Sequence, residues 1–352
     1  MSINRVMQLA ASGGVGGIEL LALGHEQNNN NDWHAYLKEE DLFTLLSTPS
    51  KANTVSYGAS FSSDGTYLAF VSESSPYIAI YKRDGTTFTK LSNPATLPTG
   101  TSKGVAFSAN GTYLAVSHEV SPYITIYKRS GDTFTKLSNP STLPTGTANG
   151  VVFSSDDVYM AVAHNSNPKI TIYKRSGDTF TKLADPSVLP GSSFAGFGVC
   201  FSADTTYLAV GCQGAPNIVI YKRNGDTFTK LADPAVIPND DAFGVSFSPD
   251  GIYLAVAHSA GNYLKIYKRS GDTFTKLADP AVMPSGQGKG ACFSSDGMYL
   301  AITSPIGPSV IIYERSGDTF TAINTDLGKY GSSSQYGTHS AAFYPPAVLG
   351  SR

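Results

Sequence analysis

Histidine recurs at one position of a repeated sequence pattern. His25, His118, His164 and His258 each end a short apolar segment such as Leu-Ala-Val-Ser-His, and Cys212 holds the same position in a fifth copy. A metal site needs such side chains to converge within ~2.0–2.3 Å of one ion. Equivalent positions of successive repeats lie too far apart for this, so the pattern predicts a ring of polar groups at one face and no metal centre.

A second repeated segment ends in Phe-Ser, and the residue before its Phe has little to offer catalysis. That position is occupied by Ser60, Ala106, Val152, Cys200, Ser246, Cys292 and Ala342. None of these is a carboxylate or histidine, and acid–base catalysis needs a titratable group at the reacting atoms. We expect this segment to line the central channel of the molecule, so the sequence predicts a protein that is not an enzyme and has no catalytic residues.

Aromatic and acidic residues concentrate in the most variable segments between repeats. The candidate ligand-binding residues there are Phe194, Phe197, Asp240, Asp241, Phe243, Tyr330 and Tyr336. Aromatic rings beside carboxylates suit stacking on a sugar ring with hydrogen bonds to its hydroxyls, and aromatic side chains also anchor protein interfaces. The alternative is that these rings fold back and plug the centre of the molecule.

Basic residues are paired along the chain without giving it a basic character. The five Lys-Arg pairs are Lys82-Arg83, Lys128-Arg129, Lys174-Arg175, Lys222-Arg223 and Lys268-Arg269. Asp132, Asp178, Asp226 and Asp272 occur in the following turns, and 25 Lys and Arg face 27 Asp and Glu in the whole chain. Nucleic-acid affinity depends on a basic surface, so we expect a solvated, locally neutralised rim and no nucleic-acid partner.

The elements that must position these residues follow from the repeat itself. Phenylalanine recurs at 61, 107, 153, 201, 247 and 293. Each copy contains four short β-type segments, here called strands a to d, separated by turns such as Asp-Gly and Ser-Gly-Asp that favour hairpins. A repeat of this length with four strands is typical of a β-propeller blade.

A seventh copy is divided between the two ends of the chain. The segment 21–26 matches strand b, Tyr36 and Phe43 mark strands c and d, and 340–343 matches strand a. The sequence therefore predicts an all-β, seven-bladed propeller of four-stranded blades. Its last blade is closed by a C-terminal strand a, 341–343, together with N-terminal strands b to d, from about 20 to 46. The propeller occupies 18–352.

The first residues, 1–17, are predicted to form an arm with a Gly-rich linker. Ile3, Val6, Met7 and Ala10 follow the spacing of one face of a short helix. Because so short a segment is only marginally helical alone, we expect this face to bind a partner protein, a second copy or the propeller's own bottom face. The bottom is the end of the propeller that carries the a–b and c–d turns.

The repeat resembles that of the WD-repeat family over 18–344, although Ile-x-Ile-Tyr-Lys stands where that family has Ile-x-Ile-Trp-Asp. The start, with Ser2-Ile3-Asn4-Arg5, resembles the leaders of virion proteins of marine tailed phages. The first resemblance implies the propeller architecture. The second implies a structural protein of a phage particle.

These observations lead to a non-catalytic, virion-associated structural or adsorption protein as the first functional hypothesis. Its variable loops would bind a host-surface glycan or a neighbouring subunit, and its arm would bind other virion or scaffold proteins, with self-association also open. The alternative is a free scaffold or lectin-like carbohydrate-binding propeller, and the third possibility is a lactonase-like enzyme. We expect no cofactor and no membrane insertion, and a location in the virion or otherwise in the cytoplasm.

Overall fold

The computed structural model describes residues 19–25, 33–39, 42–45, 56–190, 196–304, 310–324 and 338–343, with side chains for most of 56–323. Within these ranges the chain forms 28 strands in seven four-stranded antiparallel sheets. The predicted arm, 1–17, lies outside them. None of the described segments is a helix long and apolar enough to cross a membrane.

The strands follow the chain in blade order. The first three are β1 (Glu19–His25), β2 (Trp33–Glu39) and β3 (Leu42–Leu45). Blade 1 is β4 (Ser56–Phe61), β5 (Tyr67–Ser72), β6 (Ile78–Asp84) and β7 (Thr87–Lys90). Blade 2 is β8 (Ser102–Phe107), β9 (Tyr113–His118), β10 (Ile124–Ser130) and β11 (Thr133–Lys136). Blade 3 is β12 (Ala148–Phe153), β13 (Tyr159–His164), β14 (Ile170–Ser176) and β15 (Thr179–Lys182).

Three further blades complete the series. Blade 4 is β16 (Gly196–Phe201), β17 (Tyr207–Cys212), β18 (Ile218–Asn224) and β19 (Thr227–Lys230). Blade 5 is β20 (Ala242–Phe247), β21 (Tyr253–His258), β22 (Leu264–Ser270) and β23 (Thr273–Lys276). Blade 6 is β24 (Gly290–Phe293), β25 (Tyr299–Thr303), β26 (Val310–Ser316) and β27 (Thr319–Asn324). The last strand is β28 (Thr338–Phe343).

Blade 7 is built from both ends of the chain, which confirms the prediction. Its strand order is β28-β1-β2-β3. β28 pairs antiparallel with β1, with Leu21 opposite Phe343 and Leu23 opposite Ala341. Contacts of β28 with β24 and with β4 close the ring of inner strands. The closure leaves no open seam, so each inner strand has a neighbour on both sides.

The core lies between blades, as the continuous apolar runs of strands b and c predict. Every residue of strands b in blades 1 to 5 is buried, and the first four residues of strands c are buried before the strand becomes exposed. The Tyr of strand c, which stands where WD repeats have Trp, is fully buried in each of these blades. In blades 2, 3 and 4 its hydroxyl donates to a backbone carbonyl of the preceding segment, as Tyr127 does to Thr96 at 2.9 Å.

The repeated glycine of strand a is explained by how closely the inner strands approach. A Cβ built on Gly244 would lie 2.7 Å from both the Gly290 Cα and the Ala291 nitrogen of the next blade. Gly150 and Gly198 are confined in the same way by backbone oxygens of the following inner strand. Any larger residue would push neighbouring blades apart at the channel wall.

Among the described side chains, five repeated clusters join neighbouring blades at the bottom, the end that carries the a–b and c–d turns. In the first, Asp132 of blade 2 accepts from the Tyr67 hydroxyl at 2.6 Å and from Lys82 Nζ at 2.9 Å, both of blade 1. Arg129 lies over the Tyr67 ring, 4.7 Å from its centroid. The aspartates of the equivalent clusters are Asp178, Asp226, Asp272 and Asp318. Each such Lys is therefore neutralised by the next blade and not by its own turn.

Candidate functional site

The top of the central channel, where the inner strands begin, opens into a cavity of about 460 Å³. Its rim consists of the residues that immediately precede the repeated glycine of strand a. We call these six residues the mouth ring: Tyr57, Lys103, Asn149, Phe197, Phe243 and Lys289. In β28 the equivalent position is His339, whose side chain lies outside the described part of the chain.

In blades 1 to 5 the mouth-ring residue lies at a β-bulge. In blade 1, Ser56 pairs with Ser72 and Gly58 with Val71, so Tyr57 is an extra residue without a partner position. The same register shift occurs between Ser102 and Gly104. It recurs in blades 3, 4 and 5. A bulge re-aims the side chain of the inserted residue, and bulges are frequent beside active sites.

Lys103 is the best-positioned charged group of the mouth ring. Its Nζ lies 3.9 Å from the centroid of the Tyr57 ring and 3.1 Å from Oε1 of Glu119, in the b–c loop of the same blade. The lysine side chain is 25% exposed and that of the glutamate 42% exposed. The ammonium group of Lys103 thus lines the cavity, and the Glu119 carboxylate lies directly behind it, outside the lining residues but in contact with Lys103.

The opposite side of the mouth ring is aromatic. The rings of Phe197 and Phe243 pack with their centroids 4.9 Å apart at an interplanar angle of 57°. The Lys289 Nζ lies over the Phe243 ring, 3.8 Å from its centroid, a cation–π contact that covers one face of this ring. Together these contacts fix the two phenylalanines as part of the cavity wall.

The structure brings together two of the residues that the sequence singles out for ligand binding. Phe197 and Phe243 both line the cavity. Asp240 and Asp241 belong to the loop before β20 and are not among its described lining residues. Asp241 Oδ1 accepts from the Gly214 backbone at 3.3 Å, and partial burial, with the neighbouring Asp240 adding to it, raises the pKa of the Asp241 carboxyl.

The remaining predicted site residues belong to segments outside the described part of the chain. Phe194, Tyr330 and Tyr336 lie outside the described residues, and so do the anchoring positions Ile3, Val6, Met7 and Ala10 of the arm. Their roles stay predictions.

The small residues before each Phe serve packing and say nothing about catalysis. Ser60 Oγ accepts a hydrogen bond from the Phe107 backbone of the next blade at 3.1 Å, and Ser246 Oγ accepts from Phe293 at 3.2 Å. Burial raises the pKa of the Cys200 thiol to about 12, so it is not an ionised nucleophile at neutral pH.

The residues of the mouth ring lie three positions before these small residues. Sequence reasoning missed four of them: Tyr57, Lys103, Asn149 and Lys289. The available signal was the variation of the residue before an otherwise constant glycine.

The predicted polar ring of histidines at the top face is wrong for the described copies. His118, His164 and His258 are completely buried. Nε2 of His118 lies 3.0 Å from the Thr125 hydroxyl, and His164 has the same contact with Thr171 at 2.9 Å. Burial lowers the pKa of all three histidines to about 4, so they are neutral structural groups near pH 7. Among the described residues, no three His, Cys, Asp or Glu side chains form a metal-binding group.

Comparison with known proteins points to an enzyme family. The model of the family described as Lactonase, 7-bladed beta-propeller, matches residues 58–185. A periplasmic gluconolactonase of Pseudomonas aeruginosa has a TM-score of 0.69 at 14% identity, with 94% of this chain and 99% of that chain covered. A proposed 6-phosphogluconolactonase of Bacteroides fragilis has a TM-score of 0.71 at 15% identity, with 95% and 99% covered. A protein of Lactobacillus plantarum reaches 0.74 at 16% identity, with 93% and 99% covered. Comparison with curated proteins finds no match.

These findings correct the functional hypothesis drawn from the sequence. The expectation of a non-catalytic virion protein is contradicted by the match to the Lactonase family and by the lactonases among similar structures. The matched family is not the WD-repeat family, and nothing in the comparisons supports the resemblance to phage leaders. The physical source of the error is the assumption that the residue before Phe represents the channel wall, whereas the bulged residue three positions earlier does so.

Proposed function

We propose that this chain is a lactonase-type enzyme that hydrolyses a cyclic ester in the cavity at the mouth ring. The observation that carries the proposal is Lys103 in the cavity lining, paired at 3.1 Å with Glu119 of the adjoining b–c loop. Both residues lie within 58–185, the segment that matches the Lactonase family. Likeness to solved structures at 14–16% identity supports the fold alone.

Lys103 supplies the electrophilic group of the proposed reaction. Addition of water to a lactone carbonyl places negative charge on the carbonyl oxygen, and a fixed cation beside that oxygen stabilises the charge as it develops. The Lys103 ammonium is held in place by the Tyr57 ring on one side and by Glu119 on another. It therefore needs little rearrangement when charge appears.

Glu119 is the candidate general base. Its carboxylate accepts a proton from water as the water oxygen bonds to the carbonyl carbon. The C–O bond of the lactone ring then breaks, and the departing alkoxide takes up this proton. The product is a hydroxy acid, and both residues return to their starting protonation states. Proton transfer by a positioned side chain typically contributes ~10²–10⁴-fold to the rate.

The test is hydrolysis of a panel of γ- and δ-lactones, followed by acid release at constant pH. We expect turnover by the wild type and a loss of about 10²-fold or more in kcat/KM for both Lys103→Met and Glu119→Gln. Lys90→Met is the matched control, because Lys90 ends the outer strand β7, remote from the channel, and donates a hydrogen bond to Asn93. Absence of turnover on the whole panel, or full activity of both variants, would contradict the proposal.

A further inference from the structure

The mouth ring has two chemically different sides. Contacts between inner strands give the order of blades around the channel, so blades 4 and 5 are neighbours, blade 5 lies across the channel from blade 2, and blade 4 is two positions from blade 2. On blades 4 and 5 the described side chains that line the cavity are Phe197, Val199, Phe243 and Val245. On blades 2 and 3 the lining side chains are Lys103, Val105, Asn149 and Val151, so the two sides differ at the rim positions, which are polar here and aromatic on blades 4 and 5.

The wall formed by blades 4 and 5 suits an apolar group better than a hydroxylated one. Its lining side chains are hydrocarbon, and Lys289 already covers one face of Phe243. A sugar hydroxyl buried against such a wall loses hydrogen bonds to water without gaining side-chain partners there, which costs free energy. An alkyl or aryl group placed on the same surface is stabilised by the area it removes from water and by aromatic packing.

The position of this wall relative to Lys103 defines how a substrate would be oriented. With the lactone carbonyl beside Lys103, substituents on the far side of the lactone ring point across the channel towards Phe197 and Phe243. We infer that the site takes lactones carrying an apolar alkyl or aryl substituent in preference to polyhydroxylated lactones. The inference rests on the proposed function for the reaction, but the binding preference itself can be measured without turnover.

The experiment compares two pairs of probes. Binding of 4-hydroxy-4-phenylbutanoate and of gluconate, the hydrolysis products, is measured by isothermal titration calorimetry. Hydrolysis of γ-phenyl-γ-butyrolactone and of δ-gluconolactone is measured by acid release. We expect the phenyl-substituted acid to bind at least about tenfold more tightly than gluconate, a difference that corresponds to ~1.4 kcal/mol.

Variants at the aromatic wall identify where the preference arises. Phe197→Ala and Phe243→Ala are expected to weaken binding of the phenyl-substituted acid about tenfold and to leave gluconate binding unchanged. Phe197→Leu keeps an apolar side chain of similar size and should retain part of the affinity even if the alanine variants fold poorly. Val188→Ala is the control, since this valine is 50% exposed away from the cavity lining.

The outcomes separate the inference from the proposed function. Phenyl-selective binding that depends on Phe197 and Phe243, without hydrolysis of either lactone, would support the inference and overturn the lactonase proposal. Preferred hydrolysis of gluconolactone with unaffected phenylalanine variants would support the lactonase proposal and overturn the inference. Failure of the phenyl-substituted acid to bind would also overturn the inference.

Discussion

The close approach of the inner strands predicts that Gly244→Ala destabilises the ring. The added Cβ would lie 2.7 Å from the Gly290 Cα, 2.7 Å from the Ala291 nitrogen and 2.8 Å from the Gly290 carbonyl carbon. Non-bonded heavy atoms prefer ~3.5–4.0 Å, so two backbones must separate by nearly 1 Å. Because these are backbone atoms of a closed ring, no side chain can rotate away to relieve the contact.

Overpacking of this kind costs ~1–3 kcal/mol, slightly offset because alanine also restricts the unfolded chain. For a chain of this size, a loss of ~2 kcal/mol lowers the melting temperature by roughly 3 °C. Thermal unfolding followed by circular dichroism measures the effect. Gly58→Ala is the matched comparison, since its nearest atoms are the Lys103 oxygen and a Val71 methyl, both at 3.0 Å. Gly58→Ala should lower the free energy of unfolding by less than Gly244→Ala does. A Gly244→Ala protein that melts at or above the wild-type temperature would refute the packing argument.

Three other predictions concern the ring and its repeated clusters. The hydrogen bonds from Tyr67 and Lys82 lower the pKa of Asp132 from 3.8. The ionised carboxylate therefore stabilises the fold at neutral pH, and this stabilisation is lost as the pH falls below about 4. Denaturant unfolding between pH 7 and 2 should show the loss of stability, and the loss should be smaller in Asp132→Asn. Deletion of residues 338–352 removes β28 and should lower the melting temperature of the whole ring; an unchanged value would contradict closure by this strand. His258 is buried and has no threonine hydroxyl beside Nε2, because Lys265 occupies the position from which Thr125 contacts His118 in blade 2. Lys265→Thr should therefore raise the free energy of unfolding by ~0.5–1.5 kcal/mol, and lower stability in urea unfolding would refute this explanation.

The fold was predictable because every repeat has the same pattern of apolar segments and turn residues. The constant spacing of Phe, the Asp-Gly turns and the apolar runs of strands b and c each indicate a four-stranded blade. The match of 21–26 to strand b then identifies how the ring closes. Local preference and global fold agree at each of these positions, which is the condition under which sequence reasoning succeeds.

The site was predictable only in part, because the expectation assigned the wrong set of alternate residues of strand a to the channel. The residue before Phe, such as Ala106, does not line the cavity, whereas Lys103 and Val105, two residues apart on the other set, do. Phe197 and Phe243 were found from loop variability. The histidines were misplaced because strand b is covered on both faces, so its last residue is buried with the rest.

The most direct test of the account is a crystal structure of the protein soaked with a non-hydrolysable cyclic ketone analogue of γ-phenyl-γ-butyrolactone. We expect the analogue in the cavity of the mouth ring, with its carbonyl oxygen within hydrogen-bonding distance of Lys103 Nζ and its phenyl group against Phe197. An analogue bound in the outer grooves between blades, or bound in the channel with its carbonyl directed away from Lys103, would contradict it.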